Sequence, residues 1–64
     1  MSEQESLIWM IGKRVEIHPR FDLWMKGDRF GAVLRIAKTR QVVVQMDKSG
    51  KVVRFYPTDI EVIS

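Results

Sequence analysis

The stretch Gly27-Asp28-Arg29-Phe30-Gly31-Ala32-Val33-Leu34-Arg35-Ile36 limits the fold more than any other part of the chain. Two glycines four positions apart head a largely apolar run, which reads as a tight turn delivering the backbone into a long strand. A glycine inside the strand itself, Gly31, marks a place where two backbones approach closely or the strand coils. Strong coiling is what a very small barrel needs.

The other segments fall into place around this one. Lys13 to His18 alternates, with Val15 and Ile17 on one side and Arg14, Glu16 and His18 on the other, the pattern of a half-buried strand. Pro19 ends it, because proline cannot donate to a ladder. Arg20 to Lys26 reads as an irregular loop whose Phe21, Leu23, Trp24 and Met25 fold back onto a core or a ligand. After the strand Phe30 to Ala37 and the connection Lys38-Thr39-Arg40, the β-branched run Gln41 to Met46 predicts a central strand. Asp47-Lys48-Ser49-Gly50 is a hairpin turn, Lys51 to Tyr56 the returning strand, Pro57-Thr58-Asp59 a tight helical turn, and Ile60 to Ile63 a short closing strand. At the other end, Leu7 to Ile11 is apolar throughout and is compatible with a helical turn capped by Ser6 or with an extra edge strand. The expected organisation is an N-terminal segment, residues 1–11, and one all-β domain, residues 12–64.

With 64 residues and no cysteine, the chain has no disulfide to compensate for a small core. A domain this size hides only about 60% of its unfolded surface. Sheet packing or self-association must supply the stability, and a 45% apolar composition suits a folded domain. No apolar run is long enough to span a membrane, and no basic leader precedes one, so a cytoplasmic setting is expected. Eleven basic residues lie between Lys13 and Arg54 with only Glu16, Asp22, Asp28 and Asp47 among them, while Glu3, Glu5, Asp59 and Glu61 mark the ends. A central basic block of that kind favours polyanions.

Five short strands with a long loop after the first resemble an SH3-like barrel, partly open; an OB-type barrel is the alternative. Gly27-Asp28 followed by Gly31-x-Val33-x-x-Ile36 is similar to the KOW motif of ribosomal and transcription-elongation proteins, over about ten residues. That resemblance implies an SH3-like barrel touching nucleic acid or protein through the loops around this hairpin. Gly12-x-Arg14-Val15, Trp24-x-x-Gly27 and Val53-Arg54-Phe55-Tyr56-Pro57 also resemble the plasmid-encoded type II dihydrofolate reductases, over roughly forty-five residues. Tyr56 matches that family's pore segment, but Arg54, Phe55 and Ile17 stand where the family has glutamine, isoleucine and lysine. Val15 through Trp24, with Gly31-Ala32-Val33, is similar in shape to the small photosynthetic SH3-like docking subunits.

Chemistry finds little purchase. His18 reads as a solvent-facing strand end, and Asp22 and Asp28 as turn formers. No serine, threonine or cysteine stands in a nucleophile setting, the carboxylates lack metal-ligand spacing, and no cofactor is implied. Binding has more support. Arg20, Lys26 and Arg29 accompany Phe21 and Trp24, Arg35, Lys38 and Arg40 surround the next turn, and Lys48, Lys51 and Arg54 the hairpin after it. Cations interleaved with aromatic rings suit phosphates and bases together. These residues are expected to form one basic face for RNA or DNA, with Trp24 as its aromatic member. The competing expectation is a protein-docking or self-associating accessory subunit using Trp9, Met10, Phe55 and Tyr56, since one ring of Phe55-Tyr56 must face outward.

Overall fold

The computed structural model describes residues 5–64, with side chains from residue 7 onward. A 3-10 turn over Glu5–Met10 leads into β1 (Arg14–Ile17), a single helical turn α1 (Asp22–Met25), β2 (Phe30–Ile36), β3 (Val42–Met46) and β4 (Val52–Phe55). A second 3-10 turn, Pro57–Asp59, precedes β5 (Ile60–Val62). The strands form one five-stranded antiparallel sheet in the order β4-β3-β2-β1-β5. Its edges, β4 and β5, share no ladder, so the sheet curls without closing into a barrel.

The curl is built by alternation. Val15 and Ile17, Val33, then Val42, Val44 and Met46 turn inward, and Phe55 closes the cluster from β4. Burying such aliphatic side chains is worth about 1.5–3 kcal/mol each, which makes this the main source of stability in a chain without disulfides. Gly31 stands opposite Met46 on β3, where the strands approach so closely that a side chain would collide with the Gln45 carbonyl.

Two details depart from expectation, and one open alternative is decided. The loop Arg20 to Lys26 carries a helical turn, because Phe21, Leu23 and Trp24 reach the core together only if the backbone coils. The apolar segment at the N-terminus resolves as a 3-10 turn rather than an edge strand; it delivers Met10, 5% exposed, into the same core as β1 and β2. Within β2 the register slips between Val33 and Arg35, a bulge that sets Leu34 and Arg35 both on the outer face.

Candidate nucleic-acid interface

Asp28 organises the site. It is 3% exposed, a turn residue whose carboxylate is turned inward. Its Oδ1 accepts the Lys48 backbone N–H at 3.1 Å, and its Oδ2 accepts the Ser49 hydroxyl at 2.5 Å. A buried carboxylate needs such donors, and here they come from the hairpin tip twenty residues further on. The tip is thereby pinned against the loop that follows α1. Lys48 then donates from Nζ to the Lys26 carbonyl at 3.0 Å, beside Gly27, whose left-handed backbone at φ +89° suits glycine.

Beside this junction the Arg29 guanidinium lies 3.8 Å from the centre of the Trp24 ring, and its Nε–H reaches the Trp24 carbonyl at 3.3 Å. A cation over an indole is held by the ring's negative face, at about 0.5–2 kcal/mol according to exposure. Trp24 itself is half buried against the core, and its indole N–H is buried without a partner. Core packing from below and the guanidinium from above hold the ring in spite of that cost. Arg29 is therefore the cation on the Trp24 ring, and the Lys48 ammonium is held by the Lys26 carbonyl at the turn between them.

The remaining cations do not join them in a single face. Arg20 pairs with the nearly buried carboxylate of Asp59 and lies 5.0 Å from the centre of the Phe21 ring. Asp59 also accepts the Tyr56 backbone N–H at 3.1 Å, so Arg20 serves as a clamp on the second 3-10 turn. Arg35 and Arg54 lie on the outer face of the sheet, each directly opposite Val43. Lys38 and Arg40 belong to the β2–β3 connection, at the other end of β3 from Lys48; Lys51 lies on the hairpin side, exposed. The long strand β3 separates these positions, which closeness in sequence does not reveal.

The expected protein-docking residues divide as well. Met10 and Phe55, 5% and 3% exposed, are core residues and cannot anchor a partner; Phe55 meets the Phe21 ring edge-on at 5.1 Å between centroids. Trp9 and Tyr56 are 56% and 57% exposed. Ile17 and Phe55 both face the core, so of the four positions compared with the type II reductases' pore residues, Tyr56 and Arg54 are at the surface. His18 is exposed and accepts the Arg20 backbone N–H on Nδ1 at 3.1 Å, while Asp28 directs both its oxygens to the hairpin. Among the described residues no group of three His, Cys, Asp or Glu could hold a metal, and no helix is long and apolar enough to cross a membrane.

Neither a protein-family model, nor a curated protein, nor a solved structure shows significant similarity to the chain. What the molecule is, at the level its architecture defines, is a small five-stranded antiparallel sheet domain, curled but open.

Proposed function

We propose that this chain is a non-catalytic nucleic-acid-binding module of SH3-like, KOW-like descent, acting in the cytoplasm and meeting its ligand at the Trp24–Lys26–Arg29–Lys48 cluster. The observation that carries this reading is the Arg29 guanidinium over the Trp24 ring, with the Lys48 ammonium fixed on the carbonyl of Lys26 at the following turn. A guanidinium held over an indole by the ring and by its Nε–H bond to the Trp24 carbonyl is already positioned, so it can receive a base at little further cost in side-chain entropy. Lys48 uses one ammonium N–H on the Lys26 carbonyl and keeps two for phosphate oxygens. The excess of cations over carboxylates between Lys13 and Arg54 would speed the approach of a polyanion.

Arg29→Glu is the direct test, since Arg29 is exposed and its replacement leaves the core intact. Stacking on an aromatic platform is worth about 1–3 kcal/mol per base. Binding of a fluorescent dodecamer, RNA or DNA, is accordingly expected to weaken at least about tenfold in the variant, with an unchanged circular dichroism spectrum. Equal affinities for wild type and variant would refute the site.

A second reading, docking to protein, draws on the exposure of Trp9 and Ile8 on the N-terminal turn and of Tyr56 after β4. Sedimentation of the purified chain as a dimer that Trp9→Ala dissociates would favour it.

A further inference from the structure

The sheet ends in two open edges, and the edges differ. Where β4 meets β3, the Met46 N–H bonds to the Lys51 carbonyl. Alternation along that ladder turns the backbone groups of Val53 and Phe55 toward β3 and those of Val52 and Arg54 away from the sheet. Among the described residues, the outward N–H and C=O groups of Val52 and Arg54 have no hydrogen-bond partner. The strand Val52-Val53-Arg54-Phe55 keeps an unbroken register with β3 and contains no proline, so neither a bulge nor a missing donor guards it. The other edge, Ile60-Glu61-Val62, is shorter, and its Glu61 already stands opposite Glu16. Pairing that edge with itself about its centre would bring a second Glu61 beside this pair, which like charges oppose. Self-pairing is therefore disfavoured at β5 and left open at β4. Apolar surface accompanies the β4 edge: Val52 is 57% exposed and Val53 half-buried.

We propose that β4 is a dimerisation edge, at which two copies of the chain pair their β4 strands antiparallel about a two-fold axis beside Val53. The strand is complementary to itself in this register. Val52 of each copy lies opposite Arg54 of the other, and these are the residues whose backbone groups point outward, so the N–H and C=O of each are satisfied together. On the inner side Val53 meets Val53 of the second copy at the axis and covers the surface that the core leaves bare. On the outer side the aliphatic arm of Arg54 lies along the exposed Val52 of the second copy, and no arginine stands directly opposite another. The same register brings the exposed Tyr56 across from Gly50 of the second copy, where a Cβ would meet nothing within 4 Å and the space is open to a ring. A two-fold contact uses the β4 edge of both copies, so the assembly closes at the dimer. The inference is independent of what the loop cluster binds.

The contact is small, so the dimer is expected to be weak, with a dissociation constant of about 0.1 mM. Sedimentation equilibrium of the intact protein is compared with that of Val52→Lys, Val52→Glu and the double variant Val52→Lys/Arg54→Glu. Position 52 is exposed, so these changes leave the core intact. Lysine at 52 faces Arg54 in both halves of the interface and is expected to weaken the dimer about tenfold. Glutamate at 52 faces the same arginine and is expected to leave the dimer as tight or tighter, and the double variant, which exchanges the charges, to restore it. Amide exchange read by NMR is expected to slow at Val52 and Arg54 as concentration rises and to stay fast at Ile60 and Val62. A protein that is monomeric at about ten times the expected dissociation constant would overturn the proposal. A dimer weakened equally by lysine and by glutamate would overturn the register. Slowed exchange at Ile60 and Val62 in place of Val52 and Arg54 would assign the interface to β5 instead. A dimer that Trp9→Ala dissociates and Val52→Lys does not would assign it to the N-terminal turn. Oligonucleotides play no part in these measurements, so their failure leaves the loop cluster standing.

Discussion

Gly31→Val is expected to remove about a third or more of the protein's stability at 25 °C. A Cβ at this position would lie 2.6 Å from the Gln45 carbonyl oxygen and 2.6 Å from Val44 Cγ1. The first obstacle is backbone, so β3 as a whole must move away from β2, and the ladder that holds the centre of the sheet must loosen. Overpacking of a core costs about 1–3 kcal/mol and occasionally more. With rigid backbone opposing it, a valine is expected to cost at least about 3 kcal/mol, against a total of about 3–10 kcal/mol for a domain of this size. Gly31→Ala is expected to lose about 2–3 kcal/mol by the same mechanism. Gly50→Ala is the control: its backbone is left-handed at φ +73° but a Cβ there meets nothing within 4 Å, so the loss is confined to about 1–2 kcal/mol of strain. Urea unfolding followed by tryptophan fluorescence ranks the three. A Gly31→Val midpoint close to that of wild type would show that β2 and β3 are not packed as described.

Asp28→Ala separates two views of the loop cluster. Removing the carboxylate frees the Lys48 N–H and the Ser49 hydroxyl together, and hydrogen bonds to a charged group contribute about 1.5–3 kcal/mol each. A stability loss of about 2–4 kcal/mol is expected. If cations alone governed binding, losing a negative charge in their midst would strengthen it. If arrangement governs, the hairpin tip leaves the loop, Lys48 leaves the Lys26 carbonyl, and affinity falls. We expect a fall of about fivefold or more, read on the variant at a temperature where circular dichroism shows it folded. A gain in affinity would mean that net charge matters and the assembled geometry does not.

Much of the sheet was legible because the signals are local. Val15 and Ile17 alternate with charged neighbours, Asp47 to Gly50 spells a hairpin turn, and Gly31 announces a close approach inside a strand. The site was less legible, for three physical reasons. Val42-Val43-Val44 is apolar at every position, which hides that Val43 faces outward between two arginines. The bulge at Leu34–Arg35 shifts the parity of β2, so simple alternation gives the wrong face beyond it. Asp28 meets its donors across twenty residues, a distance over which no spacing rule reaches. Phe55-Tyr56 is an intermediate case: alternation requires one ring in and one out, and only the register with β3 decides that Phe55, opposite Val42, is the inner one. Met10 was hidden by an apolar run with no period of its own.

Arg20 and Asp59 carry a related lesson. As isolated residues they read as one free cation and one acidic terminus, whereas the fold pairs them across the start of α1 and the second 3-10 turn. The local excess of positive charge is therefore smaller in space than along the chain. Arg14 is similarly committed to Asp47.

Fluorescence titration of the intact protein with a single-stranded dodecamer, repeated from 50 to 300 mM salt, tests the central claim most directly. Two phosphate contacts by Lys26 and Lys48 imply a slope of about −1.4 in log affinity against log salt, and hence a loss of about tenfold over that range. An affinity that does not change with salt, or no binding at 50 mM, would contradict the account.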